Sequence, residues 1–311
     1  MTDLLVLAPD AEEYAPVLRA EAPKLTLRLA ADADSARQFL GSVEIVLGAP
    51  ALVAAIVNEA PRLRWVQSTF AGVDALTRPG LRRDYQLTGV KGVFGPLMSE
   101  YVFAWILALE RRLFALHEQQ QRREWRDEPY RSLAGLTLGV MGLGSIGAHI
   151  AGTARAFGMK TIGYRRAPAE SPAVDKVYSG GELPKFLSGA DYAVVTLPST
   201  PATRHLLGRE ALAQLRPDAV LINVGRGSII DTAALVDALG RRAIRGAVLD
   251  VFEEEPLPPE HPLWTLPGCY ITPHNAATSF PADIARLFLE NLKRFEAGEP
   301  LAHRVEFERG Y

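Results

Sequence analysis

Three glycines in the run Gly142-Leu143-Gly144-Ser145-Ile146-Gly147 carry the first chemical signal of the chain. Their G-x-G-x-x-G spacing binds a dinucleotide when it follows a strand and opens a helix. The apolar run Leu136–Met141 reads as that strand and Ile146–Phe157 as that helix. Here Gly142 permits a tight turn, Gly144 lets the backbone approach a pyrophosphate, and Gly147 lets helix and strand pack closely. The amides of Ser145 and Ile146 stand at the helix N-terminus, where free N–H groups and the helix dipole favour phosphate. A Walker A loop would need Gly-Lys-Ser/Thr, which is absent. A serine-hydrolase elbow centred on Ser145 would need glycine where Leu143 stands.

The next strand decides which dinucleotide. An NAD site places Asp or Glu about 20 residues on, at the end of the second strand, against the ribose 2′-hydroxyl. Here that strand ends Gly163-Tyr164-Arg165-Arg166, with no carboxylate. Two guanidinium groups suit a 2′-phosphate through charge-assisted bonds. An exposed arginine pair is more often simply solvated. Because this pair falls where the acid belongs, NADP(H) is expected to be preferred over NAD(H).

Further motifs follow in fixed order: Asn223-Val224-Gly225-Arg226-Gly227, then Asp250-Val251-Phe252-Glu253-Glu254-Glu255-Pro256, then Thr272-Pro273-His274. With Gly142–Gly147 they make the chain resemble the D-isomer-specific 2-hydroxyacid dehydrogenase family over nearly its whole length. Within that family it is most similar to the glyoxylate/hydroxypyruvate reductase A group. That closer likeness rests on the stretch Phe94–Tyr101, on Pro256–Pro259, on Pro262-Leu263-Trp264 and on the terminal Arg309-Gly310-Tyr311.

The resemblance implies reduction of a short 2-keto acid to the D-2-hydroxy acid, with Arg226, Glu255 and His274 as the catalytic set. A 2-keto acid needs a hydride on its carbonyl carbon and a proton on the oxygen, and the cofactor supplies the hydride. Arg226 is then the substrate arginine, whose planar fork grips the carboxylate and polarises the ketone. Its flanking glycines are read as letting the backbone come close to the ligand. His274 is the general acid of reduction, suited by an ordinary pKa near neutrality. Glu255 is its carboxylate partner, orienting the ring and favouring the imidazolium. By residue type alone, Glu253–Glu255 would read as a solvated acidic loop, and only the family register selects Glu255.

The same resemblance places the cofactor against Leu197, Pro198 and Thr203, against Val224 and Gly225, and against Asp250, which would bond the nicotinamide carboxamide. It assigns the backbone amides of the Ala71-Gly72-Val73-Asp74 segment, chiefly Ala71 and Gly72, to the substrate carboxylate, beside Arg226 and His274. An ordinary strand-to-helix turn is the competing reading of Ala71–Asp74. No metal site is expected.

The elements that must position these groups are legible as periodicity. Short apolar runs recur at Leu4–Ala8, Leu25–Leu29, Val43–Leu47, Leu63–Gln67 and Gln86–Val90, with helical segments Glu12–Glu21, Ser35–Leu40 and Pro50–Glu59 between them. Continuous apolar strands are those covered on both faces of a parallel sheet. A second series runs Leu136–Met141, Lys160–Tyr164, Tyr192–Leu197, Val220–Val224, Ile244–Asp250 and Tyr270–Thr272. Between the two lies one expected helix, Ser99 to about Arg123, apolar all round over Tyr101–Leu109; such a face must be covered. A last helix is expected over Pro281–Phe295, stopped by Gly298 and Pro300.

The fold class expected is α/β: two Rossmann-like or flavodoxin-like domains with doubly wound parallel sheets and the active site in the cleft between them. Residues 1–99 with 276–311 form the substrate domain and residues 100–275 the dinucleotide domain. The 311 residues suit two domains. A net charge of −2 gives no basic excess for nucleic acid or an anionic membrane. One cysteine, Cys269, excludes an internal disulfide. No apolar run approaches the roughly 18–20 residues that span a bilayer. A cytoplasmic homodimer is expected, joined through the Ser99–Arg123 helix. The alternative reading is a dinucleotide-sensing, corepressor-like binding protein, which the full catalytic set disfavours.

Overall fold

The computed structural model describes residues 2–310; Tyr311, the last residue of the terminal motif, lies outside them with Met1. The chain divides into two compact units, Met1–Val93 with Ser279–Tyr311, and Phe94–Thr278. The first break precedes the long helix Gly95–Glu110, so that helix belongs whole to the second unit.

The first unit holds a parallel five-stranded sheet of β1 (Asp3–Leu7), β2 (Thr26–Ala30), β3 (Ile45–Gly48), β4 (Trp65–Ser68) and β5 (Gln86–Thr88), in the order β2-β1-β3-β4-β5. Helices α1 (Ala11–Glu21), α2 (Ala33–Ala36) and α3 (Pro50–Ile56) connect the strands. Every residue of β3 and β4 is buried, as expected of apolar strands covered on both faces.

The second unit begins with α4 (Gly95–Glu110) and α5 (Leu113–Gln121). The single helix expected over Ser99–Arg123 is therefore two. Pro96 sits in the first turn of α4, where its missing N–H costs nothing, so the helix starts before Ser99. It breaks at Arg112, whose backbone is left-handed (φ 55°). Val102, Phe103 and Ile106 are buried, whereas Ala104 on the other face is exposed and Trp105, Leu107 and Leu109 are half-covered. Within this chain the all-round apolar helix is thus fully buried along one face only.

A seven-stranded parallel sheet follows: β6 (Thr137–Met141), β7 (Lys160–Arg165), β8 (Lys176–Ser179), β9 (Tyr192–Val195), β10 (Val220–Asn223), β11 (Gly246–Leu249) and β12 (Cys269–Ile271). Helices α6 (Ser145–Ala156), α7 (Leu183–Gly189), α8 (Arg209–Leu212) and α9 (Thr232–Gly240) cross between strands. The short edge strand β8 was not legible in the sequence, because only Val177 and Tyr178 in it are apolar. The order β12-β11-β10-β9-β6-β7-β8 reverses direction at β6. Ligands of such sheets bind beyond the carboxyl ends of the strands, at the reversal. The final helix α10 (Pro281–Glu296) returns to the first unit with Ile284, Ala285, Phe288 and Leu292 buried.

Candidate active site

The carboxyl ends of β6, β7, β9, β10, β11 and β12 carry every site residue expected in the second unit. After β6, Gly142 has a left-handed backbone (φ 102°), and a Cβ there would lie 2.9 Å from Thr196 Oγ1. A Cβ on Gly147 would lie 2.0 Å from Gly142 O, so only glycine lets the turn and α6 meet. A Cβ on Gly144 would meet nothing within 4 Å. Gly144 is the N-cap of α6 and makes no side-chain cap. The first helical bond is Ala148 N–H to Gly144 O (2.9 Å), which leaves the amides of Ser145, Ile146 and Gly147 outside the helical ladder. An open, uncapped helix end beside a tight turn is a cradle for an anion.

At the end of β7, Arg165 is half-buried and Arg166 exposed. Among the described residues neither guanidinium has an ion-pair or hydrogen-bond partner. After β9, Leu197 and Pro198 are half-buried. The Thr203 hydroxyl is used inside this turn: it donates to Pro198 O (2.7 Å) and accepts from Thr200 N–H (2.8 Å). The cradle and the two unpaired cations fit a dinucleotide that carries a 2′-phosphate.

Arg226 follows β10 on a loop clamped by Asn223. That asparagine is buried; its Nδ2 donates to Arg226 O (3.0 Å) and its Oδ1 accepts from Gly225 N–H (3.1 Å). Val224 and Gly225 are buried, and Val224 N–H donates to Val195 O (3.1 Å). The glycines flanking Arg226 are packed against neighbouring backbone. A Cβ on Gly225 would lie 2.8 Å from Leu197 O, and one on Gly227 would lie 1.9 Å from Phe252 C. Neighbouring backbone by itself requires glycine at both positions. The one sign of this role in the sequence is that Asn223 is an amide closing an otherwise apolar strand.

His274 follows β12 with a left-handed backbone (φ 52°), uncommon for a non-glycine residue. Its Nδ1 lies 2.8 Å from Glu255 Oε2. The other Glu255 oxygen accepts from Phe252 N–H (2.9 Å). The Glu255 bond, opposed by partial burial and aided by the charges of Glu255 and Asp250, raises the His274 pKa above its ordinary value. Burial pushes Glu255 up, but the bonds from His274 and Phe252 and the charges of His274 and Arg226 hold it below the usual range. Arg226, Glu255 and His274 are thus brought within electrostatic reach of one another from three separate strand ends.

Asp250 fixes the loop on both sides of His274. It is 1% exposed; Oδ1 accepts from Thr272 Oγ1 (2.6 Å) and Asn275 N–H (2.9 Å), and Oδ2 from Ala276 N–H (3.0 Å). Glu253, read by residue type as part of a solvated loop, accepts from His205 Nε2 (2.6 Å) and Thr232 Oγ1 (2.6 Å). Neither His205 nor Thr232 was singled out from the sequence.

In the first unit, Ala71 and Gly72 follow β4. The Ser68 hydroxyl accepts from Phe70 N–H (3.0 Å), and Ser279 Oγ donates to Thr69 O (2.7 Å), bracing the segment before them. Ala71 is exposed and Gly72 half-buried, and among the described residues their N–H groups have no partner. Among the described residues no group of three His, Cys, Asp or Glu side chains is gathered to hold a metal, and no helix is long and apolar enough to cross a membrane.

The family profile of the D-isomer specific 2-hydroxyacid dehydrogenase NAD binding domain matches residues 103–276. A solved structure of a protein of that family from Aeromonas salmonicida superposes with a TM-score of 0.94 at 45% identity, covering 98% of this chain and 99% of the other. The NADPH-dependent glyoxylate/hydroxypyruvate reductase of Sinorhizobium meliloti, solved with NADP and sulfate, superposes with a TM-score of 0.88 at 34% identity over the whole of both chains. The glyoxylate/hydroxypyruvate reductase A of Photorhabdus laumondii is 35% identical over 253 residues, 78% of this chain and 79% of the relative. The corepressor alternative finds no support in these matches. Profile, relatives and strand-end geometry agree: the chain belongs to the D-isomer specific 2-hydroxyacid dehydrogenase family.

Proposed function

We propose that this protein reduces a short 2-keto acid of the glyoxylate or hydroxypyruvate kind to the D-2-hydroxy acid with NADPH. The observation that carries the reading is the His274–Glu255 pair at 2.8 Å within the field of Arg226. The relatives named for glyoxylate and hydroxypyruvate supply the substrate class.

The bound nucleotide supplies the hydride. Gly144, Ser145, Ile146 and Gly147 at the open end of α6, with Gly142, would hold its pyrophosphate. Arg165 and Arg166 would pair with the 2′-phosphate. Leu197, Pro198, Thr203, Val224 and Gly225 line the remaining path. Asp250 keeps one lone-pair position beyond its three bonds, which a carboxamide N–H would use.

Arg226 grips the substrate carboxylate and polarises the ketone. His274 gives the proton. Glu255 occupies Nδ1, which leaves Nε2 as the nitrogen that donates to the carbonyl oxygen. Transfer leaves the ring neutral, with its remaining proton on Nδ1 held by Glu255. Removing the imidazole should cost roughly 10²–10⁴-fold in rate.

We place the enzyme in the cytoplasm as a homodimer. Leu113, Phe114 and Leu116 on α5 are exposed, Phe114 packs against Trp105 on the half-covered side of α4, and Trp125 beyond α5 is fully exposed, which supports an apolar partner surface. Sedimentation finding a dilute, active monomer would remove the dimer. The reaction is tested by a panel of 2-keto acids assayed with NADPH and NADH; no turnover of glyoxylate, hydroxypyruvate or a larger 2-keto acid would end the reading.

A further inference from the structure

Glu253 stands two residues before Glu255 and is held as closely. Its Oε1 accepts from His205 Nε2 (2.6 Å) and lies 3.6 Å from Arg204 Nη2. Its Oε2 accepts from the Thr232 hydroxyl (2.6 Å) and the Thr232 N–H (3.3 Å). Burial pushes this carboxyl up, yet the His205 and Thr232 bonds hold it below the usual range. No part of the reaction derived above uses it.

The partners of Glu253 lie on two other loops. His205 closes the turn that begins at Leu197, and Thr232 opens α9 just after the Arg226 loop. Those loops also meet directly. His205 N–H donates to Ser228 O (2.8 Å), Leu207 N–H donates to Ile229 O (3.0 Å), and the Ser199 and Ser228 hydroxyls lie 2.9 Å apart. Beneath them, a Cβ on Gly227 would lie 2.5 Å from Glu253 N, so the Arg226 loop and the glutamate loop are in backbone contact. One carboxylate therefore ties three strand-end loops together.

A symmetry of construction supports this. His205 (φ 51°) and His274 (φ 52°) both have left-handed backbones. Non-glycine residues keep that conformation when their surroundings hold them there. Each is held through its ring by a glutamate of the same short loop, His205 by Glu253 and His274 by Glu255.

We propose that Glu253 is a positioning residue that locks the turn 197–205 to the loops carrying Arg226 and Glu255, so that nucleotide binding and the His274–Glu255 pair are set together. This rests on the reading of that turn as part of the nucleotide site. Glu253 acts through its neighbours and touches no reacting atom.

The test compares Glu253→Ala, Glu253→Gln and Thr232→Val with the unaltered protein. NADPH affinity is read by nucleotide fluorescence, amide hydrogen exchange is followed across 197–205 without nucleotide, and kcat is measured at saturation. Losing the charge-assisted bonds in Glu253→Ala should weaken NADPH about tenfold, lower kcat about tenfold and speed exchange in the turn. Glu253→Gln keeps a carbonyl for Thr232 and an amide that can pair with His205, so it should recover most of the affinity. Thr232→Val removes one hydroxyl and should weaken NADPH about threefold, a result that carries the test if the alanine variant does not fold. Unaltered affinity and exchange in Glu253→Ala or Thr232→Val, or no recovery in Glu253→Gln, would overturn the proposal. An unaltered protein that binds NADPH yet turns over no 2-keto acid would count against the reductase reading alone, since binding and exchange still decide this one.

Discussion

His274 Nδ1 lies 2.8 Å from Glu255 Oε2, although the two residues come from loops after different strands. The contact raises the histidine pKa and lowers that of the glutamate. Reduction needs the imidazolium, so the pair extends the active range toward higher pH. Replacing Glu255 by Gln removes the negative charge and keeps the shape. The alkaline limb of the reductive pH profile should then move to lower pH, with about a tenfold loss of rate at a fixed alkaline pH for each unit moved. A pH series of kcat/KM for both proteins checks this; a limb that stays in place would uncouple Glu255 from the acid.

Arg226 is proposed to hold a carboxylate with a planar fork, and lysine offers only a point charge. Arg226→Lys should keep the fold and the NADPH affinity while lowering kcat/KM for the keto acid by roughly 10²–10³-fold. Steady-state kinetics beside nucleotide titration separates the two effects.

Arg165 and Arg166 have no partners of their own among the described residues. If they serve a 2′-phosphate, replacing both by Ala should lower NADPH efficiency by about 10²-fold and leave NADH efficiency within a few-fold. An equal fall with both cofactors would assign them to something other than the phosphate.

The backbone of Phe252 closes over Gly227 so tightly that a methyl group there would lie 1.9 Å from its carbonyl carbon. Backbone, not a flexible side chain, would have to move. Gly227→Ala should destabilise the fold by about 1–3 kcal/mol and lower kcat, because the displaced segment carries Glu255. Chemical denaturation with kinetics on the folded fraction measures both.

Glu110, at the end of α4, is 3% exposed and accepts from Arg131 Nη2 (2.9 Å), from Arg245 and from the Tyr192 hydroxyl. Burial alone would raise its carboxyl, but these bonds hold it down to about 2 from 4.5. The depressed pKa contributes stability that is fully present above 4.5 and is lost as pH falls toward 2, about 3 kcal/mol in all. Glu110→Gln should therefore unfold at lower denaturant than the unaltered protein at pH 7. The gap should narrow at pH 3. Equal gaps at both pH values would mean that the bonds contribute without the charge.

Much of the architecture was fixed by local pattern. Strands such as Ile45–Gly48 and Val220–Asn223 were recognisable because a parallel sheet with both faces covered demands unbroken apolar runs. The glycine spacing at 142–147 declared its turn because no other residue tolerates both the left-handed backbone at Gly142 and the close approach at Gly147. What local pattern could not supply was partnership between distant segments. Glu253, Glu254 and Glu255 are alike in sequence, yet one meets His205, another meets His274, and no side-chain bond is seen for Glu254 among the described residues. The backbone that requires glycine on either side of Arg226 belongs to the distant residues Leu197 and Phe252. The end of α4 likewise turned on Arg112 adopting a left-handed backbone, which no periodicity encodes. Periodicity and turn chemistry act over a few residues, so a sequence displays them. Which loop end meets which is decided by strand order in the folded sheet, where residues far apart in the chain become neighbours.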